Sequence, residues 1–280
     1  MTREKLQKFL DDFSDNSPTN FLELSEDEPY RDKIGIRLFD RPIFSVTRAD
    51  DPWFGFIRYP EAVGPHHLMP QDLLPDAKTV ISFFLPVDRD TVESNKKDPI
   101  EPSIEWLYSR IEGEGFLLAL GAAIRDEFIA DGYKAIIPIL DNRYITQFAG
   151  PPAPGTEHVP RFSSNWSERH VAVVTGLGTF GLSTCFISKK GSAGRIISVV
   201  TDWDTPPDVR DYDHWLGYCN KCGICQRKCP AQAHYKDKVG KDHDVCRNFI
   251  GKTCAKYTPR YGCGKCQTGT PCEYAPVIGS

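Results

Sequence analysis

Ten cysteines are the residues of this chain whose type and spacing can support chemistry, and nine of them follow residue 218. Four of the nine stand in one run, Cys219-Asn-Lys-Cys222-Gly-Ile-Cys225-Gln-Arg-Lys-Cys229-Pro230. A reducing compartment keeps thiols free, and free thiols crowded into one short segment indicate metal ligands rather than disulfides. The sequence therefore predicts a metal-binding segment in the last sixty or so residues.

This run has the C-x2-C-x2-C-x3-C-P spacing of bacterial ferredoxins. Three thiolates spaced by two residues can wrap one [4Fe-4S] cube, and the fourth cysteine ligates the other cube in two-cluster ferredoxins. The alternative is a zinc ribbon built from Cys-x-x-Cys pairs, which would use four cysteines and leave five others without a role. We therefore predict two [4Fe-4S] clusters.

Among the remaining cysteines, one is expected not to ligate a cluster. The downstream set is Cys246, Cys254, Cys263, Cys266 and Cys272. Two cubes need eight thiolates and the tail offers nine, so we expect one spare thiol, Cys254, with Cys272 as the other candidate. Cys185 precedes the run in a predicted strand, where a free cysteine is usually a small buried hydrophobe. We interpret it as a packing residue.

A glycine-rich segment lies before the cysteine run and matches G-x-G-x-x-G. A dinucleotide-binding loop follows a strand and opens a helix, whereas this segment follows a predicted helix and precedes predicted strands. Gly176 could instead end the helix as a left-handed cap, or the glycines could let the backbone approach a large flat cofactor. The predicted cofactor-binding residues are Gly176, Leu177, Gly178, Thr179 and Gly181.

The hydrophobic pattern predicts an α+β sandwich followed by a small cluster module. We expect helices over 5–13, 103–131 and 165–175, strands over 78–86, 134–140, 183–188 and 195–201, a long loop over 141–164 and a linker over 203–214. The predicted domains are residues 1–202, for cofactor and substrate, and residues 203–280, for the clusters. A loop as long as 141–164 is typical of a functional or covering segment.

Charge and hydropathy exclude some function classes. The net charge is −4 with a pI near 6.0, and no Lys/Arg block builds a concentrated basic face, so nucleic acid is not an expected partner. The amino terminus is charged and amphipathic without an apolar export segment. No apolar stretch approaches the length of a membrane span. We expect a cytoplasmic protein without a membrane partner.

Three blocks in order carry a resemblance to a known superfamily. They are Ser167-Glu-Arg-His-Val-Ala-Val-Val-Thr-Gly-Leu-Gly-Thr-Phe-Gly-Leu-Ser183, then Gly194-Arg-Ile-Ile-Ser-Val-Val-Thr-Asp202, then the ferredoxin-like run. Together they resemble the epoxyqueuosine reductase and reductive dehalogenase superfamily. The resemblance implies a nitroreductase-like α/β sandwich that holds a base-off corrinoid, and a ferredoxin-like module with two [4Fe-4S] clusters that supplies it with electrons.

The resemblance also implies a ligand set and shows two departures. By it, the first cluster takes Cys219, Cys222, Cys225 and Cys272, and the second takes Cys229, Cys246, Cys263 and Cys266. The last motif of epoxyqueuosine reductases is C-x2-C-x3-C-P, whereas here five residues separate Cys266 from Cys272 and Glu273 follows. The catalytic aspartate of those enzymes corresponds to Phe162, so the proton donor of that reaction is missing and we expect a different substrate.

Two functions fit these features. The first is a corrinoid-dependent reductase of a small molecule, with Tyr144, His158, Arg161 and His170 as predicted catalytic residues, because a histidine or tyrosine can act as a general acid. The second is an electron-transfer protein that reduces a corrinoid or flavin protein and has no substrate of its own. A bound FMN is a further alternative. Either function predicts an electron donor such as ferredoxin or flavodoxin.

Overall fold

The computed structural model describes residues 1–147 and 150–278, so Phe148 and Ala149 of the predicted loop, and Gly279 and Ser280 of the predicted module, lie outside the described residues. The helices are α1 Arg3–Asn16, α2 Trp53–Ile57, α3 Pro70–Leu73, α4 Arg89–Ser94, α5 Ile104–Ala130, α6 Glu168–Val174, α7 Ile224–Arg227 and α8 His243–Tyr257. The strands are β1 Ile43–Arg48, β2 Thr79–Pro86, β3 Ala135–Ile136, β4 Thr146–Gln147, β5 Ser163–Ser164, β6 Gly178–Phe180, β7 Phe186–Ser188 and β8 Gly194–Thr201. Helices and strands are mixed along the chain, as the sequence predicts.

The centre of the fold is a four-stranded antiparallel sheet in the order β1-β2-β8-β3. The β2–β8 pair is the longest, with Thr79 opposite Thr201 and Pro86 opposite Gly194. Every residue of β2 is buried. A strand buried on both faces reads as a continuous apolar run, and this explains why β2 was predictable from the sequence.

Each face of this sheet is covered by helices. Ile81, Phe83 and Leu85 of β2 point to the face packed against α1 and α5, in the largest hydrophobic cluster. Val80, on the opposite face, packs with residues of α2 and α6. Side chains alternate between the faces of a strand, so one strand contributes to both cores. The result is a helix–sheet–helix sandwich.

Local signals set the ends of the helices. The hydroxyls of Thr2 and Ser103 accept hydrogen bonds from the first turns of α1 and α5, which satisfies donors that the helix itself leaves free. At the end of α6, Gly176 has φ +87° and Leu177 N–H donates to the carbonyl oxygen of Ala172 at 3.0 Å. The left-handed cap considered for Gly176 is therefore present.

The strand predicted over 134–140 is much shorter than expected. Pairing stops after β3, and a turn of 3-10 helix follows at Pro138–Leu140. Proline lacks the N–H that a further ladder bond would need. The helices predicted over 5–13, 103–131 and 165–175 are confirmed as α1, α5 and α6, and the strands over 78–86 and 195–201 as β2 and β8.

The segment over 203–218 lies against the sandwich. Trp203 is 5% exposed in the main core, the Asp208 carboxylate accepts from Val46 N–H at 2.9 Å, and Arg210 pairs with Asp51 at 2.7 Å. The predicted linker is thus bound along its length to residues of the amino-terminal region. The predicted division at residue 202 remains a prediction.

Residues 219–278 form the rest of the structure, with α7 and α8 as their helices. We call this part the cysteine module. Ala233 is the one hydrophobic side chain of the module that is buried. No helix within the described ranges combines the length and the hydropathy that crossing a bilayer requires.

Candidate metal centre

The cysteines of the module line two adjoining cavities. Pocket A has a volume of about 410 Å³ and pocket B of about 1600 Å³, and both volumes include space open to solvent. The cysteines lining pocket A are Cys185, Cys219, Cys222, Cys225, Cys266 and Cys272, and those lining pocket B are Cys185, Cys229, Cys246, Cys263 and Cys266. Cys254 lines neither pocket. Cys185 and Cys266 line both pockets. The assignment of ligands to two clusters that the resemblance implies remains a prediction.

Backbone geometry places the thiols of pocket A. Gly223 has φ +71° and Lys221 has φ +58°, so the chain turns sharply on both sides of Cys222 before α7 begins. Glycine adopts that conformation without steric cost. Cys272 joins from the other end of the module, where Ser192 N–H donates to its carbonyl oxygen at 2.9 Å. Pocket A is therefore closed by the amino-terminal region as well as by the module.

The module's cysteines that line pocket B come from three of its segments. Cys229 follows α7, and its sulfur accepts a hydrogen bond from Ala233 N–H at 3.3 Å. Asp242 caps α8 through Val245 N–H at 2.9 Å, which fixes the first turn that carries Cys246. Gly264 has φ +72°, and a Cβ there would lie 2.1 Å from the Trp106 ring. This loop must therefore carry glycine between Cys263 and Cys266.

Cys185 lies beside the cysteines of the module and lines both pockets. Its interpretation as a packing residue remains a prediction, whereas its placement in a strand is wrong. It lies in the turn before β7 rather than inside a strand, because Thr184 has φ +60° and strand pairing begins at Phe186. Its sulfur is 3.5 Å from that of Cys266. The structure therefore brings a tenth cysteine, from the amino-terminal region, between the two pockets.

Pocket B is lined by several cationic side chains. The basic residues on its wall are Arg110, Arg169, Arg195, His234, Lys241 and Lys265. Burial lowers the pKa of Arg195 to about 10, which leaves the guanidinium charged at neutral pH. Glu168 also lines the pocket, and burial raises its pKa to about 8, so at neutral pH it is mostly protonated. The pocket is positively charged and suits an anionic occupant.

Burial favours the protonated form of four of the module's thiols in the metal-free chain. Burial raises the pKa of Cys225 and of Cys263 to about 11, and it also raises the pKa of Cys246 and Cys272. Iron must displace these protons, because the thiolate is the ligand. Binding of metal would therefore release protons and would be favoured at higher pH.

The donor set fits iron–sulfur clusters better than a single ion. Within residues 1–147 and 150–278, no three His, Cys, Asp or Glu side chains converge on a point where one metal ion could bind. The thiols instead surround cavities. An iron–sulfur cube with four thiolate ligands is an anion, and the cationic wall of pocket B would offset its charge.

The glycine-rich segment packs against the protein itself. A Cβ on Gly178 would lie 2.1 Å from the carbonyl oxygen of Ile187. Leu177 is buried in a hydrophobic cluster, and Thr179 is buried with its hydroxyl accepting from Tyr218 N–H at 2.9 Å. Gly181 alone of the five predicted residues lines pocket A. Close packing thus accounts for the first glycines, and cofactor binding by the segment remains a prediction.

The four predicted catalytic residues are not brought together, and none of them lines pocket A or B. Tyr144 is partly buried beside the cluster that packs α2 and α6, and burial raises its pKa. His158 and Arg161 are exposed. Burial lowers the pKa of His170 to about 3, and its Nδ1 lies 2.8 Å from the hydroxyl of Ser167. Their catalytic roles remain predictions.

The end of the long loop contacts the module. Phe162 has φ +62° and stacks on the ring of His243 at 5.1 Å. The neighbouring Arg161 pairs with Asp244 and lies 4.5 Å above the Phe162 ring. Both partners lie in the first turn of α8, the helix that carries Cys246. Phe162 and Arg161 therefore make packing and ionic contacts to the cysteine module.

Sequence reasoning missed the residues around pocket B other than its cysteines. Lys265 stands between Cys263 and Cys266 and is 1% exposed, with its Nζ donating to the carbonyl oxygens of Asn95 at 2.6 Å and Asp98 at 2.8 Å. A lysine inside a Cys-x-x-Cys pair is a local signal that could have been noted. Arg195 and Glu168 come from β8 and α6, and no local pattern joins them to the cysteines.

Comparison with solved structures identifies the fold. A catabolic reductive dehalogenase in complex with 3-bromo-4-hydroxybenzoic acid superposes with a TM-score of 0.50 at 14% identity, over 84% of this chain and 30% of that one. The epoxyqueuosine reductase of Streptococcus thermophilus gives a TM-score of 0.48 at 17% identity, over 85% and 65%. The resemblance predicted from the sequence is thereby confirmed at the level of the fold.

The matches are partial in length. This chain spans about two thirds of the epoxyqueuosine reductases and about a third of the reductive dehalogenases that it matches. No protein-family model matches the sequence, and no curated protein matches it either.

Proposed function

We propose that the chain is an iron–sulfur oxidoreductase in which two [4Fe-4S] clusters pass electrons to a corrinoid for the reduction of a small substrate. The observation that carries this proposal is the division of the thiols between two adjoining pockets, one of them cationic. The first cluster would be held by Cys219, Cys222, Cys225 and Cys272, and the second by Cys229, Cys246, Cys263 and Cys266.

One cysteine of pocket A reaches the protein surface. Cys222 is exposed at the outer edge of pocket A, next to the exposed Lys221, and the guanidinium of Arg227 donates to the carbonyl oxygen of Cys222 at 3.1 Å. An acidic electron donor such as a ferredoxin or flavodoxin would therefore meet complementary charge at this edge. Electrons would enter at the first cluster and pass inward to the second.

The corrinoid would occupy the part of pocket B that the amino-terminal region lines. That wall is formed by Phe84, Val87, Trp106, Arg110, Arg195 and Ile196, which combine apolar surface for a flat ring system with cations for its polar groups. A corrinoid supplies low-potential cobalt chemistry when bound. The side chains of this wall would orient the cofactor and exclude water.

Glu168 is the proton carrier that this pocket offers. Burial raises its pKa to about 8, so it holds a proton at neutral pH and could give that proton to a reduced substrate. Phe162 leaves no carboxylate at the position used by epoxyqueuosine reductases. A Glu168→Gln variant that keeps its clusters but loses turnover would support this role, whereas full turnover would remove it.

Iron and sulfide analysis tests the proposal. Protein reconstituted without oxygen should contain about eight irons and about eight acid-labile sulfides. Cys222→Ser and Cys263→Ser should each lose about half of the iron, whereas Cys254→Ser, at the thiol that lines neither pocket, should lose none. Zinc with almost no sulfide in the wild-type protein would refute the proposal.

A second candidate function is electron transfer to a partner protein without a substrate of the chain's own. It is favoured by one observation, that none of the four predicted catalytic residues lines pocket A or B. Visible spectra after titration with hydroxocobalamin or FMN separate the two functions. A bound corrinoid supports the reductase, whereas a chain that binds neither chromophore and still reduces a second protein supports electron transfer.

A further inference from the structure

The hydrogen bond between Cys185 and Cys266 would have a fixed donor once Cys266 binds iron. Their sulfurs are 3.5 Å apart, and in the metal-free chain either thiol could donate. A cysteine that ligates iron is a thiolate and has no proton to donate. With Cys266 bound to the second cluster, the hydrogen bond can run only from the Cys185 thiol to the Cys266 sulfur.

The amino-terminal region holds Cys185 in place independently of the clusters. The Cys185 N–H donates to the hydroxyl of Ser183 at 3.3 Å, and its carbonyl oxygen accepts from Gly181 N–H at 2.8 Å. These contacts close the turn between β6 and β7. The donor is therefore fixed by the sandwich and does not depend on the folding of the cysteine module.

We propose that Cys185 is a positioning residue whose thiol donates a hydrogen bond to iron-bound Cys266 and raises the reduction potential of the second cluster relative to the first. This inference rests on the proposed function, since it requires a cluster at Cys266. Hydrogen bonds to the ligand sulfurs are one of the factors that set cluster potential. They withdraw electron density and favour the more negative, reduced state.

The hydrogen bond from Cys185 would influence the direction of electron transfer between the two clusters. The second cluster would have the Cys185 donor, the Ala233 N–H donor on Cys229 at 3.3 Å, and the cationic wall of pocket B. The first cluster would have the hydroxyl of Thr270 at 3.5 Å from the Cys272 sulfur and the exposed Cys222. The Cys185 donor would add to the second set and so favour transfer of an electron from the first cluster to the second, next to the wall proposed for the corrinoid.

Redox titration of the reconstituted protein, followed by electron paramagnetic resonance, tests the inference. Cys185→Ala removes the donor and should shift the potential of the second cluster to more negative values while the first is unchanged. Cys185→Ser keeps a hydroxyl donor and should lie between the alanine variant and the wild type. Cys254→Ala is the matched control and should change neither potential. Signals are assigned to the first cluster by their loss in Cys222→Ser.

Iron content separates the possible outcomes. Eight irons in Cys185→Ala together with an unshifted second potential would overturn the inference and leave the proposed function standing. Loss of about four irons would also overturn it, because Cys185 would then be a ligand. Wild-type protein without iron would remove the proposed function and this inference together. An exchangeable deuteron coupled to the second cluster in wild type, and absent in Cys185→Ala, would support the hydrogen bond directly.

Discussion

The amino-terminal region and the cysteine module use different means to hold a fold. Residues 1–218 bury large aliphatic and aromatic side chains on both faces of an antiparallel sheet. Over residues 219–278, the buried hydrophobic side chains reduce to Ala233, and the other buried ones are polar: His234, Thr253, Arg260, Lys265, Thr268 and Thr270. The first region can fold by burying apolar side chains away from water. The second has too little apolar surface for that and must depend on what its thiols bind.

Charge separates the two regions as well. Residues 219–280 carry 11 Lys/Arg and 4 Asp/Glu, whereas residues 1–218 carry 23 and 34. The net charge of −4 therefore conceals a basic module attached to an acidic sandwich. Positive charge in the module would offset the two anionic clusters proposed for it, and the acidic sandwich attracts the module. The overall charge of a chain can thus mislead about either part.

Removing iron is the strongest way to test this contrast. We expect chelation of the reconstituted protein to unfold the module and leave the sheet intact, since a structural metal site can supply on the order of 10 kcal/mol of folding free energy. Hydrogen exchange should then become fast in residues 219–278 and stay slow in β2 and β8. Equal protection of the module before and after chelation would contradict the comparison.

A cavity introduced into the sandwich should lower the stability of the fold without changing its iron content. Phe116 of α5 is fully buried and stacks on Phe39 at 5.7 Å. Phe116→Ala should lower the free energy of unfolding by about 3–5 kcal/mol, measured by urea titration, while the iron content of the folded protein stays at the wild-type value. Ile100→Ala, at a side chain that is 55% exposed, is the control. An equal loss in both variants would argue against a hydrophobic origin of stability here.

Arg260 tests the joint between the regions. Its guanidinium bonds Glu112 at 2.8 Å and Glu28 at 3.0 Å, and lies 4.5 Å from the Tyr108 ring. Arg260→Met should cost about 2–4 kcal/mol, because two partly buried carboxylates lose their cation. Urea titration measures the loss, and the exposed Arg247→Met serves as the control. If both variants unfold alike, the ion pairs do not join the regions.

The smallest expected effect is a pH dependence confined to the sandwich. Burial lowers the pKa of His67 to about 4, below the value of about 6.5 for an unfolded chain. The unfolded state therefore binds the proton more readily between those values, so this stabilisation is complete above pH 6.5 and is lost toward pH 4. We expect a loss of about 2 kcal/mol. Urea titrations across this range should show a shallower pH slope in His67→Gln, and an unchanged slope would refute the assignment.

The sequence predicted best what local pattern determines. The continuous apolar run of β2, the capped helix α5 and the left-handed cap at Gly176 each depend on a few adjacent residues. The spacing within the cysteine run depends likewise on local geometry: its first three cysteines line pocket A and the fourth lines pocket B, while their roles as ligands remain a prediction. A single residue can still change the length of an element, since the strand predicted over 134–140 ends before Pro138.

What the sequence could not reveal depends on contacts between distant segments. Cys185 was read as a packing residue because its neighbours resemble a strand, yet its sulfur lies beside one that is 81 residues away in the chain. The cationic wall of pocket B combines Arg195 of β8 with Lys241 and Lys265 of the module. Sequence periodicity does not predict contacts between residues so far apart in the chain. These contacts depend on how the module packs against the sheet.

The short helix α7 has a consequence for how the protein would be loaded with iron. Cys225 lies within this helix and Cys229 two residues after its end, and the two line different pockets. Binding of a cluster at one of these cysteines would restrain the position of the other. Filling the first pocket would therefore reduce the conformational entropy that the chain loses when the second pocket fills. Assembly would then be cooperative, and chains that carry a single cube should be rarer than independent filling would produce.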